Sequence, residues 1–380
     1  MGDSSSQQNS DKILSGHPPQ QAVVGCGSTD AREPEAAIFA LTGETRAERK
    51  GSMTIRELKM PNDLLPLADM LVETFQYPEN PAWSVQADDE EDISREIRTL
   101  KRVWPLIRMA QTISKPLRDL FRGFVWEEDG KIGGVVIAQR RGSSHTWTVG
   151  TVGVLPEFRR RGLARKLLTR TLDDIRQRGG THINLSVIDQ NVPAYSLYRS
   201  LGFEHYSSET EYDLIPQGRV ATPALMGGYE LSRLDRFDWE KRYTLAKRIT
   251  PDNIRPYTPV EVGRFKQPAA GRIIAPALDK MQKRVEKRFV FYSAGVLVAH
   301  SGFRTRPSLT GTSSIWAQLD PAHPALAAYL LAAALDAVVE LSPTLRVQLS
   351  VPGWMPALAQ SAEDLGFKKR LAYHELGLIL

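Results

Sequence analysis

Between Gly162 and Gly179 the apolar residues Leu163, Ala164, Leu167, Leu168, Leu172 and Ile175 return at helical spacing, which predicts a helix that buries one face. Gly179-Gly180 ends it, since glycine adopts the left-handed conformation of a helix C-terminus without steric cost. The period then drops to two in HINLSV, where Ile183, Leu185 and Val187 form the buried side of a strand. NVPAYSLYRSL reads as a short helix stopped by Gly202, and FEHYSSETEYDL as a closing hairpin.

Upstream, SMTIRELKM gives an approximate strand pattern through Met53, Ile55 and Leu58, and Pro61-Asn62-Asp63 supplies a helix start for LLPLADMLVETF. VQADDEEDISREIRTLKRVWPLIRMA predicts a helix that is acidic in its first turn and basic later, a polarity that suits the helix macrodipole. Its acidic run, Asp88 to Asp92, reads as a solvated helix start rather than a site for a cation. Three strand-like runs follow, FRGFVWEED, KIGGVVIAQ and HTWTVGTVGVL, with Glu128-Asp129-Gly130 as the turn between the first two. In the third, Trp147 and Val149 lie on one parity and Val152 and Val154 on the other. A slip beside Gly150 predicts a β-bulge that bends the strand away from a neighbour.

The pattern returns in the second half. Ile183 to Phe203 (INLSVIDQNVPAYSLYRSLGF) aligns without gaps to Val347 to Phe367 (VQLSVPGWMPALAQSAEDLGF), and LARKLLTRTLDDI resembles ALAAYLLAAALDAV upstream of the second copy. Two matched pieces in one order imply duplication, and the long period implies two similar domains rather than a solenoid. A chain of 380 residues also exceeds a comfortable single core. The expected organisation is a disordered leader over 1–51, a first domain over 52–215, a linker over 216–226 and a second domain over 227–380.

Composition narrows the class. Lysine and arginine exceed aspartate and glutamate by 49 to 44, so any electrostatic argument must be local. Cys26 is the single cysteine, which excludes an intramolecular disulfide or a cysteine zinc cluster, and no metal is expected. No apolar run approaches the roughly 20 residues of a membrane span, and the N-terminus has no basic and apolar signal regions. Met1-Gly2 before Asp3, Ser4, Ser5 and Ser6 formally matches a myristoylation pattern, too short a match to carry weight. The expected location is cytoplasmic, with no membrane and no nucleic acid as partners and with an oligomer left open.

The chemistry sits in VGVLPEFRRRGLARKLL. A strand, a glycine-containing loop and a helix form a general anion site, because backbone N–H groups and the helix dipole point at the ligand. Neither the P-loop nor the Rossmann glycine pattern is present. The stretch closely resembles the acetyl-CoA-binding motif of the GNAT superfamily of N-acetyltransferases through Val154, Pro156, Arg159, Gly162 and Ala164. NVPAYSLYRSLGF resembles that family's downstream element through Asn191, Ala194, Leu197, Tyr198, Gly202 and Phe203. The resemblance covers roughly 52–215 and implies a mixed α/β fold. Each of two GNAT-like domains would have a mostly antiparallel central sheet flanked by helices, with the bulged strand of the first domain splayed.

By that resemblance, amides from Arg160 or Arg161 through Gly162, Leu163, Ala164 and Arg165 bind the pyrophosphate of acetyl-CoA, beside Arg159 and Asn191. The backbone around Val152 and Val154 holds the pantetheine arm. The implied reaction is acetyl transfer to a primary amine, of a small molecule in preference to a protein, with Tyr198 assisting the departing sulfur. The alternative is a non-catalytic acyl-CoA-binding regulatory protein. Many relatives carry a glutamate where this chain has Thr148, Gly150 or Ser186. Asp189 and His145 read as turn and surface residues, a water relay through Ser186 stands beside them, and no base is assigned. In the second copy Asn191 aligns with Met355 and Tyr198 with Ala362, and DPAHPALAAY replaces the arginine-rich loop. This degenerate domain is expected to shape the acceptor pocket or an interface, with the basic stretch from Arg264 to Arg288 as a wall or a solvated connector.

Overall fold

The structure, a computed structural model, describes residues 21–22, 53–77, 79–84, 87–113, 118–119, 121–235, 237–266, 271–307 and 311–380. The first half runs β1 (Gln21–Ala22), β2 (Met53–Glu57), α1 (Leu64–Thr74), α2 (Ala87–Ile113), β3 (Arg122–Glu128), β4 (Lys131–Arg140), β5 (Thr146–Val154), α3 (Leu163–Gln177), β6 (His182–Ile188), α4 (Val192–Ser200) and β7 (Glu204–Leu214). The second half runs β8 (Tyr229–Arg233), α5 (Trp239–Ile249), α6 (Gly271–Met281), β9 (Val285–Ser293), β10 (Val296–Thr305), β11 (Ser313–Leu319), α7 (Ala327–Leu341), β12 (Val347–Pro352), α8 (Pro356–Asp364) and β13 (Lys368–Ile379). Most of the leader, Cys26 included, and the side chains from Asp88 to Asp92 lie outside the described residues.

The mixed α/β architecture expected from the sequence is what forms, as one sheet in the order β2-β3-β4-β5-β6-β13-β7-β12-β11-β10-β9-β8. The duplicated segments fall on equivalent elements, β6 and α4 against β12 and α8. Each half takes its closing strand from the other: β13 pairs with β6, and β7 pairs with β12. FEHYSSETEYDL is therefore one strand and not the expected hairpin. It holds no Gly, Pro or Asn to turn on, and both its edges find partners in β13 and β12.

The expected bulge is present. The β4–β5 register shifts so that Ile137 and Ala138 face Thr151 and Val149, leaving Gly150 unpaired. β5 and β6 then pair in parallel only from Thr146–His182 to Thr148–Asn184 before diverging. In the second half β11 and β12 also part after Ile315–Leu349, with no shift between β10 and β11.

Alternation assigns the faces. Ile183, Leu185 and Val187 pack with Leu167, Leu168, Leu172 and Ile175 of α3. Ile188, on the opposite side of β6, packs with Phe75 and Tyr77 beyond α1 and with Tyr373 of β13. The 18-residue stretch Pro324–Leu341 is long and apolar enough to cross a membrane by length and composition. Here α7 lies on β10 and β11, with Leu330, Leu331, Leu335 and Val338 fully buried.

Candidate active site

Beyond β5 the chain turns through Pro156–Phe158 and enters α3 with Arg160 at φ 65° and Gly162 at φ 73°. Gly162 is the N-cap and makes no side-chain cap hydrogen bond. The helix's internal ladder begins with Lys166 N donating to Gly162 O at 3.1 Å, so the amides of Leu163, Ala164 and Arg165 precede it. A Cβ on Gly162 would meet nothing within 4 Å, so open space lies over this turn. Such a turn presents its amides to an anion.

The arginine side chains brace this loop. Arg159 donates to Val154 O at 3.1 Å and Thr74 O at 3.3 Å. Arg161 donates to Glu157 O at 3.1 Å and lies over the Phe158 ring, and Arg165 reaches Ser200 Oγ at 2.7 Å. In the second half α7 is capped by right-handed Leu326, whose amide donates to His323 O at 3.1 Å, so that turn satisfies itself.

Val152 and Val154 turn their side chains into the core. Where β5 has left β6, its edge at Thr151 and Val152 pairs in parallel with Gln21 and Ala22 of β1. Three buried hydroxyls near the splay, Thr74 Oγ1, Tyr77 Oη and Tyr198 Oη, have no hydrogen-bond partner among the described residues. Unsatisfied buried hydroxyls are uncommon in native proteins, and a bound molecule would complete them. Tyr198 is fully buried against Phe203, and burial, aided by Tyr77, raises its phenol above the ordinary value. It therefore keeps its proton at neutral pH. Asn191 caps α4 by accepting from Ala194 N at 3.2 Å.

The carboxylate missing from β5 and β6 arrives on β13. Glu375 lies directly across from Ser186, on the α1 side of the sheet, and Ser186 hydrogen-bonds to it. Glu375 pairs with Ser207 on its other edge, so Glu209 is its diagonal neighbour on the same face. Burial and then the neighbouring Glu209 push the Glu375 carboxyl up to about 8. Glu209 is raised too, first by burial, while a hydrogen bond from Ser350 of β12 opposes the shift. Glu375 Oε1 is buried without a donor.

Asp189 and His145 play the structural parts expected of them. Asp189 N donates to Ala372 O at 2.9 Å, and His145 Nδ1 lies 3.0 Å from Gly179 O at the closed end of β5. Glu375, Glu209 and Tyr77 escape a reading of the sequence because their strand partners or loop positions are far away along the chain. The available signal was the alternation of Tyr373, Glu375 and Gly377 in the last strand.

Residues 83–203 match the acetyltransferase (GNAT) family. Over 71 residues the chain is 44% identical to the mycothiol acetyltransferase of Thermobifida fusca (strain YX), a match covering 19% of this chain and 22% of that protein. It is 38% identical over 71 residues to the ribosomal protein bS18-alanine N-acetyltransferase of Salmonella typhimurium (strain LT2), covering 19% and 48%. The chain thus spans between about a fifth and a half of the length of these curated relatives. A tandem GNAT protein from the clavulanic acid biosynthesis pathway shares the fold at a TM-score of 0.56 and 14% identity, over 86% of this chain and 98% of that one. A GCN5-related N-acetyltransferase from Sphaerobacter thermophilus does so at 0.55 and 13%, over 86% and 95%.

Proposed function

We propose that this chain, whose residues 83–203 match the acetyltransferase (GNAT) family, transfers the acetyl group of acetyl-CoA directly to the primary amine of a small molecule. The observation that carries this reading is the parting of β5 from β6 beyond Thr148–Asn184, to which three features are assigned. These are the amide turn at Gly162, the unsatisfied Tyr198 hydroxyl, and the Glu375 carboxyl with its elevated pKa. In this reading the pyrophosphate rests on the amides of 160–165, and the pantetheine arm follows the β5 edge at Thr151 and Val152. The second half keeps no cradle of its own and lends its last strand to the acceptor side.

The acceptor arrives as an ammonium and must lose a proton before its lone pair can attack. Glu375 takes that proton. Against an alkylamine near 10.4, a base near 8 makes the transfer uphill by about 3 kcal/mol, compared with about 8 kcal/mol for a carboxylate at 4.5. The new N–C bond forms as the thioester carbonyl becomes an oxyanion. The C–S bond then breaks and its electron pair leaves with sulfur. Tyr198 supplies a hydrogen bond to that sulfur, because its raised phenol pKa makes full proton transfer more unfavourable still. The attacking nitrogen's surplus proton passes to the departing thiolate, so the products are the N-acetylated amine and coenzyme A.

Release of coenzyme A against a panel of primary amines, compared between the wild-type protein and Tyr198→Phe, tests the proposal. The expected result is amine-dependent, saturable release that falls about 10-fold or more in the variant. Saturable acetyl-CoA binding without release for any amine would point instead to a non-catalytic acyl-CoA-binding protein.

A further inference from the structure

The acceptor face of the sheet holds a second charged group that the acyl transfer does not use. Arg141, after β4, and Arg264, in the helical turn Val262–Phe265, are brought together by a glycine contact between the two halves. Ser143 N donates to Gly263 O at 2.9 Å. A Cβ on Gly142 would lie 2.1 Å from Gly263 O, and one on Gly263 would lie 2.7 Å from Ser144 N, so only glycine at both positions lets these segments touch.

Arg141 Nε donates to Thr148 Oγ1 at 2.6 Å, and Arg264 Nη1 donates to Pro259 O at 3.0 Å. Neither guanidinium forms an ion pair with a carboxylate among the described residues. Burial lowers the pKa of both, and the charge of Arg141 helps to push Arg264 down to about 9. Glu209 and Glu375, which interact electrostatically with Arg141, also form no salt bridge among the described residues. Tyr206 is influenced electrostatically by all four residues. It hydrogen-bonds to Glu375 and stacks on Tyr257 at 5.2 Å.

A structural cluster of this kind closes on itself. In the second half Glu286 does so, with Arg288 at 2.5 Å and Arg304 at 2.7 Å. Two acids and two arginines, partly buried on one face without an ion pair among the described residues, leave charge that a ligand bearing both signs would complete.

We infer that the acceptor bears a carboxylate as well as its amine. Arg141 and Arg264 hold the carboxylate, and Glu209 and Glu375 receive the ammonium. For the amine end this rests on the proposed acetyl transfer, whereas the arginine end rests on its own geometry. The fork of each guanidinium suits the two oxygens of a carboxylate, and the Tyr206–Tyr257 stack adjoins Glu375 through the Tyr206 hydrogen bond.

Calorimetric titration of the full chain reads the inference without requiring turnover. The probes are glycine, alanine and phenylalanine, their amides, and the matching amines without a carboxyl group. At least one carboxylated amine should bind about 10-fold or more tightly than its amide and its decarboxylated counterpart. Arg264→Gln and Arg141→Gln should each abolish that preference, and Arg264→Lys should restore part of it. Equal binding of all three classes to the wild-type protein, or an unchanged preference in the folded Gln variants, overturns the inference. Preferential binding without acetyl transfer to any of these amines upholds it and overturns the proposed reaction instead. Acetylation of simple alkylamines with no carboxylate preference does the reverse.

Discussion

Tyr198 keeps a fully buried hydroxyl that has no hydrogen-bond partner among the described residues. An unmade buried hydrogen bond costs about 1–3 kcal/mol, so Tyr198→Phe should leave the unliganded protein as stable as before, or more stable, while slowing acetyl transfer. Chemical denaturation beside the rate assay checks this opposition, since a residue needed only for packing would lose both together. Glu375 makes a different claim on stability. Its folded pKa, about 8, lies above the ordinary 4.5, so the folded protein keeps a proton that the unfolded chain releases. The stability contribution is full below about pH 4.5 and is lost as pH rises through about 8. Denaturation at pH 5 and pH 8.5 should show that decline in wild type and less of it in Glu375→Gln. At this scale Gly162 and Tyr198 are legible in the sequence because each lies in a local motif. Glu375 is not, because it is across the sheet from Ser186 and far along the chain.

The loop into α3 depends on backbone conformation. Gly162→Ala places a Cβ on a left-handed residue at a cost of about 1–2 kcal/mol, with no neighbour within 4 Å to clash. The new methyl enters the space assigned to the pyrophosphate. Equilibrium binding should show weaker acetyl-CoA affinity, and an unchanged affinity would remove that turn from the cofactor site. β1 acts at the other end of the same path, since Gln21 and Ala22 pair with the β5 edge proposed for the pantetheine arm. Replacing both with proline removes their N–H donors and should lower the KM for acetyl-CoA about 3-fold. An unchanged KM means the strand and the ligand do not compete. The bulge at Gly150 was readable from a parity slip, whereas the second splay, between β11 and β12, was not, because it occurs without a register shift.

Across the molecule, the repeat is visible in the sequence but the exchange of closing strands is not. FEHYSSETEYDL reads locally as a hairpin, and only its long-range pairing with β12 and β13 makes it the single strand that closes the other half. Because β13 completes the first half's sheet, a chain severed between residues 220 and 221 should give fragments that aggregate separately through exposed edges. Refolded together they should recover coenzyme A release, as gel filtration and assay can establish. The most direct test of a reaction centre shared by both halves is the pH dependence of kcat/KM for the amine in wild type and Glu375→Gln, at saturating acetyl-CoA. Wild type should rise through about pH 8, and the variant should lose that limb and about 100-fold or more in rate, with acetyl-CoA affinity intact. A variant that keeps the wild-type rate and profile contradicts the account.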